Sequence, residues 1–146
     1  VNPNRLIFAD RYERPEYLAR YRVADLFLDT HPYNAGTTAS DALKMGLPML
    51  TMIGQSYQAR MGASILASIN LPELITNTPK EYEALAIELA TDPEKLKVIK
   101  DKLADNLPTA PLFDTKRFTK NIESAYTQMY ERSQQGLEPD HIYVEE

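Results

Sequence analysis

The sequence contains no cysteine, no tryptophan and only two histidines, His31 and His141. Without thiols, disulfides and thiolate metal sites are excluded, and two isolated histidines do not make a transition-metal cluster. No two aspartates are separated by a single residue, so the Asp-x-Asp pair that often holds a divalent ion is missing too. No apolar run is long enough to cross a bilayer, and residues 1–9 lack the charged-then-apolar order of a signal peptide. Positive charge is also scarce: 16 Lys and Arg stand against 21 Asp and Glu, a net charge of −5. Phosphate neutralisation along a nucleic acid needs clustered cations, so neither nucleic acid nor membrane is an expected partner. The one local basic group is Arg11, Arg14, Arg20 and Arg22. It suits a single small anion, and it reads equally as a solvated helix face. The lack of cysteine is compatible with the cytoplasm, which is the expected location.

What is present is ordinary for one globular domain: 146 residues, 43% hydrophobic and 25% charged, enough to bury roughly two thirds of the unfolded surface. Short apolar runs alternate with helical periodicity. Leu6-Ile7-Phe8 reads as a buried strand, and Pro15 opens a helix with Leu18 and Tyr21 on one face. Leu26-Phe27-Leu28 reads as a second strand, followed by a turn and a helix from about Thr38 to Met45, with Gly46 at its C′ position. Pro48 to Met52 reads as a third strand closed by Gly54, and Gln58 to Ile69 as a helix. Strands separated by helices of this length imply βαβ units and a parallel sheet.

Thr78-Pro79-Lys80-Glu81 has the form of a capping box opening a helix with Tyr82, Leu85, Ala86 and Leu89 on one stripe. Asp92-Pro93-Glu94 starts another, and Asp114 caps a last long helix that Gly136 ends. On this last helix Phe118, Ile122, Tyr126, Met129 and Tyr130 form a stripe expected to be core. Were it uncovered, it would be a patch for self-association. Residues 1–112 thus read as a Rossmann-like α/β lobe, and 113–146 as a long helix and tail of the same domain. Three strands are few for such a lobe, so the expectation is a piece of a larger architecture lacking an N-terminal βα pair.

In an open parallel sheet, ligands sit beyond the carboxyl ends of the strands. The loop after Asp29 emerges there and feeds a helix N-terminus, where unpaired N–H groups and the helix dipole favour an anion. Gly36 removes a side chain where a ligand would approach the backbone, and Thr37 and Thr38 add hydroxyls. Asp41 lies one turn deeper on the face of Thr37, poorly placed for a phosphate and well placed to accept from the two hydroxyls of a ribose. Local physics admits plainer roles as well. Thr37 as a simple N-cap contributes about 1 kcal/mol, and Asp41 interacting with the dipole about 0.3–1 kcal/mol.

The run Leu28-Asp29-Thr30-His31-Pro32-Tyr33-Asn34-Ala35-Gly36-Thr37-Thr38-Ala39-Ser40-Asp41-Ala42-Leu43, followed by Gly46 to Thr51, strongly resembles the C-terminal lobe of O-GlcNAc transferases. The likeness is greatest to the bacterial, SPINDLY-like relatives in glycosyltransferase family 41. It continues through Arg60, Ala63-Ser64, Leu74-Ile75, Glu81-Tyr82, Pro111-Leu112-Phe113 and Pro139-Asp140-His141, covering nearly the whole chain. The resemblance implies a GT-B architecture, in which two Rossmann-like lobes face each other across a cleft, with this chain as part of the nucleotide-sugar lobe. It implies transfer of GlcNAc from UDP-GlcNAc to Ser or Thr of proteins, by a metal-independent inverting enzyme without a cofactor. The protein acceptor would be bound through tetratricopeptide repeats and an N-terminal lobe outside this chain, and the chain alone is expected to be inactive.

By position, the resemblance gives Thr37 and Thr38 to the donor diphosphate and Asp41 to its ribose. It places Arg14 near the base and ribose, Arg20 near the uracil, and Tyr17 where a histidine often packs on the nucleoside. Two departures stand out: Gly36 replaces a histidine that usually precedes the threonine pair, and Tyr17 replaces that other histidine. A GDP-fucose donor, a non-protein acceptor and a non-catalytic scaffold are the alternatives these leave. No side chain stands out as a catalytic base: His31, at the end of the strand, could face the cleft, but a turn histidine beside a proline is more often structural.

Overall fold

In the computed structural model, which describes residues 2–144, Phe27–Leu28 (β1), Met49–Met52 (β2) and Ile75–Thr76 (β3) pair in parallel in the order β1-β2-β3. Val1 and the last two residues of the expected tail, Glu145 and Glu146, lie outside the described residues. Phe27 stands opposite Met49 and Leu28 opposite Leu50, while Thr51 and Met52 face Ile75 and Thr76. Parallel neighbours need crossovers, and two helices supply them: α2 (Thr37–Lys44) between β1 and β2, and α3 (Tyr57–Ser68) between β2 and β3. Met49, Leu50 and Thr51 are all buried, as expected of a central strand covered on both faces. Their continuous apolar run carries that covering in the sequence.

Upstream, Arg14–Arg20 forms α1; downstream, α4 (Pro79–Thr91), α5 (Pro93–Asn106) and α6 (Thr115–Gln134) complete the chain. The helix starts follow the capping residues. Thr78 and Glu81 make both halves of a capping box, and Asp92 and Asp114 each accept a first-turn N–H. Gly46 and Gly136 adopt φ of +83° and +68°, the left-handed conformation that ends a helix at low steric cost. The core gathers Leu43 of α2, Met49 of β2, Leu66 and Ile69 at the end of α3, Leu89 of α4 and Leu103 of α5.

Three expectations are corrected. Leu6-Ile7-Phe8 is not a buried strand: Leu6, Ile7 and Phe8 are 61%, 89% and 91% exposed, and the segment pairs with no other strand among the described residues. The Leu6 backbone is extended, but without a neighbouring strand to supply a ladder the triplet forms no sheet. Conversely, Ile75–Thr76 is a strand that the sequence hides in two residues between Leu74 and a helix cap. The stripe on α6 is not core. Phe118, Tyr126, Met129 and Tyr130 are each more than half exposed, and no α6 residue is buried. The helix touches the lobe chiefly through the turn Pro111–Phe113, so its aromatic side faces outward. No helix among the described residues is long and apolar enough to cross a membrane.

Candidate functional site

Beyond the carboxyl ends of the three strands lie Asp29, Ile53 and Asn77. From Asp29 the chain loops through His31 and Asn34 to α2. Gly36, not Thr37, occupies the N-cap of this helix, and it provides no side-chain cap. The first intrahelical bond runs from the Ser40 N–H to the Gly36 carbonyl. The N–H groups of Thr37, Thr38 and Ala39 therefore precede the helical ladder, at the positive end of the dipole. Thr37 and Thr38 are exposed, and among the described residues neither hydroxyl makes a protein hydrogen bond. Nor does the backbone demand glycine at position 36: its φ is −109°, and a Cβ there would meet only Met61 Cγ, at 3.9 Å.

One turn on, Asp41 is buried, with only 7% of its surface accessible. Its Oδ1 accepts from Arg14 Nη2 at 3.1 Å, which ties α1 to α2. Its Oδ2 has no protein donor among the described residues, and no side-chain oxygen is both fully buried and unsatisfied there. This second oxygen thus retains an accessible acceptor site. The sequence-predicted residues Arg14 and Asp41 are brought together as a pair.

Tyr17 and Arg20 join a neighbouring cluster on α1. The Tyr17 and Tyr21 hydroxyls are 2.5 Å apart with their rings edge to face. The Arg20 guanidinium lies 5.6 Å from the ring centres of both Tyr12 and Tyr17 and donates to the Asp10 carbonyl at 3.0 Å. Tyr21, which sequence reasoning did not single out as a site residue, completes this cluster through Tyr17. Its phenol is held protonated well above the ordinary range, by burial first, then by the Tyr17 hydroxyl, with the Asp41 charge adding to the effect. The four arginines of the basic group are thus not one patch: Arg14 is committed to Asp41, and Arg20 to tyrosine faces and a carbonyl.

Sequence reasoning also missed the floor of the loop. Asp29, Asn34, Thr51 and Thr76 are buried polar residues, and all are hydrogen-bonded. The Tyr82 hydroxyl reaches over from α4 to donate to the Asp29 carbonyl at 2.9 Å. Its phenol pKa is raised above 10.0, by burial first and then by the Asp29 charge. A group that binds its proton more tightly when folded contributes stability that is complete below the unfolded pKa and is lost as pH climbs through the folded value. Denaturant unfolding is therefore expected to show stability falling above about pH 10. Tyr82→Phe should remove part of that fall.

Beside the turn, His31, Gly54, Gln55, Ser56 and Asn77 line an open cavity of about 470 Å³. The His31 ring lies against Gly54, where an added Cβ would stand 3.0 Å from Cε1. A more apolar cavity of about 480 Å³ lies between α6 and the tail, among Met129, Arg132, Leu137 and Ile142. Its walls contain none of the residues that the sequence placed at the site, and chemistry rather than volume identifies the turn as the candidate.

The sequence matches the family described as Glycosyl transferase family 41 over residues 1–122. The chain belongs to that family. Among its relatives is a UDP-N-acetylglucosamine–peptide N-acetylglucosaminyltransferase of Caenorhabditis elegans, 34% identical over 97% of the chain. A probable enzyme of the same description, SPINDLY of Hordeum vulgare, is 35% identical over 85% of it. A solved mutant O-GlcNAc transferase of Thermobaculum terrenum superposes with a TM-score of 0.80 at 34% identity, covering 86% of this chain. The α/β architecture is accordingly that of a lobe of a GT-B-like family 41 enzyme. The chain spans 12% and 13% of the lengths of those two relatives and 24% of the solved chain.

Proposed function

We propose that this family 41 lobe holds the nucleoside diphosphate of a sugar donor, in a parent enzyme that transfers GlcNAc from UDP-GlcNAc to Ser or Thr of proteins. The observation that carries the proposal is the buried Asp41 carboxylate, with one oxygen on Arg14 and the other open, one turn below an uncapped helix start. A ribose diol needs such an acceptor, and a diphosphate needs the free N–H groups and hydroxyls of Thr37 and Thr38. In this reading Gly36 leaves room for the phosphates, Arg14 orients Asp41 beside the ribose, and Tyr17 and Arg20 flank the base. Glycosyl transfer releases a diphosphate whose negative charge must be stabilised as the bond to the sugar breaks. Preorganised N–H groups and hydroxyls serve that purpose without reorganising during the reaction, and no metal is required. The names of the relatives, all peptide N-acetylglucosaminyltransferases, favour UDP-GlcNAc and a protein acceptor.

The test is transfer by the intact protein to Ser- and Thr-containing peptides, with UDP-GlcNAc and GDP-fucose offered separately and a chelator present. GlcNAc incorporation that survives chelation is the expected result. Incorporation of fucose alone would move the assignment to the other donor. Absence of transfer, together with absence of UDP and GDP binding, would leave a scaffold that keeps the fold only.

A further inference from the structure

One buried carboxylate joins both ends of the loop that aims the α2 N-terminus. Asp29 is 6% exposed. Its Oδ1 accepts from the Thr30 N–H at 2.8 Å and from the Ala35 N–H at 2.7 Å, which closes the loop across its two ends. Its Oδ2 accepts from the Thr51 hydroxyl of β2 at 2.6 Å. Ala35 immediately precedes the N-cap, so the bond to its N–H fixes the entry direction of the helix. Inside the loop, the Asn34 side chain donates to the Thr30 carbonyl at 2.7 Å and accepts from the Gly62 N–H at 3.4 Å. The bonds from Thr30, Ala35 and Thr51 all end on the Asp29 carboxyl group, in a buried setting where a hydrogen bond is stronger than in water.

Resting on the donor-binding reading above, we infer that Asp29 is a positioning residue for the diphosphate. It would touch no ligand atom itself, and it sets the direction of the Thr37, Thr38 and Ala39 N–H groups through the Ala35 anchor. A loop held this way loses little freedom when a phosphate arrives, which strengthens binding without adding a contact. The effect falls mainly on the phosphates. Asp41 shares α2 but makes no bond to Asp29 and is held from α1 by Arg14, so the nucleoside part of the ligand should feel the change less than the phosphates.

The experiment measures binding of UDP or GDP, whichever the intact protein binds, beside the matching nucleoside without phosphates. In Asp29→Asn the affinity for the diphosphate falls about tenfold or more, because an amide cannot supply the charged acceptor, while affinity for the nucleoside stays within about twofold. Thr51→Val keeps the shape and removes one donor to Asp29. It should give a smaller loss with the same selectivity, and Thr51→Ser should restore wild-type affinity. Should Asp29→Asn not fold, the two Thr51 variants decide the matter. Equal loss for nucleoside and diphosphate, or no loss at all, would overturn the positioning role and leave the donor site standing. A wild-type protein that binds neither nucleotide would overturn the donor reading, and this inference with it.

Discussion

Alanine at position 41 is expected to weaken nucleoside-diphosphate binding by about 10- to 100-fold while leaving the protein nearly as stable as before. The separation of the two effects follows from the environment of the ion pair. The Arg14 side chain is 67% exposed, so once its partner is gone the guanidinium remains solvated. With its cation in solvent and only its carboxylate buried, a pair of this kind stabilises a fold by about 1 kcal/mol or less. In the proposed donor site, the ribose hydroxyls would lose Asp41 Oδ2, the acceptor left open beside Arg14. Calorimetric titration and thermal melting of the same variant check both halves. Unchanged affinity would remove Asp41 from the site, and a collapse in melting temperature would assign it to the fold.

The second large effect concerns Gly62, and it runs against helix propensity. Alanine is intrinsically better than glycine inside a helix by about 1 kcal/mol, yet Gly62→Ala is expected to cost about 2–4 kcal/mol. A Cβ on Gly62 would stand 2.6 Å from Asp29 Oδ2, and it would overlap the Thr51 hydroxyl as well. Either α3 lifts from the sheet or the Thr51–Asp29 hydrogen bond breaks in a buried setting. Gly36→Ala is the matched control, because its Cβ would find only Met61 Cγ, at ordinary contact distance. Denaturant unfolding of the two variants should separate them by several-fold in free energy. A Gly62→Ala protein as stable as the wild type would mean that α3 has slack beneath it.

These residues also show what a sequence can and cannot disclose. Helix starts and ends are readable because their signals are local: Thr78 and Glu81, three residues apart, open α4, and Gly46 with its positive φ ends α2. The β2 strand was readable because burial on both faces leaves a continuous apolar run. Its place after β1 marks the α2 turn as a candidate anion site, and the cap falls one residue before Thr37, on Gly36. The local sequence marks Asp29 as little more than the end of a strand. Its role depends on Thr51, 22 residues away, and on Tyr82, 53 residues away, and no local pattern reports such pairings.

The failures have a common physical cause. Leu6-Ile7-Phe8 and the α6 stripe were read as buried because apolar residues at strand or helix spacing usually are. Periodicity reports which face of an element is apolar, not whether anything covers it. In this structure both surfaces are open, and the α6 stripe is the one on which self-association of the chain would be sought.

The central claim is one of location: diphosphate at the start of α2, ribose on Asp41. A crystal structure of the intact protein with bound UDP, or with GDP if that is the nucleotide it takes, tests it most directly. The account predicts phosphate oxygens about 2.7–3.1 Å from the Thr37 and Thr38 donors. It also predicts a ribose hydroxyl on Asp41 Oδ2, with Arg14 still on Oδ1. A nucleotide seated elsewhere, with the α2 N-terminus open and Asp41 Oδ2 facing only water, would contradict it.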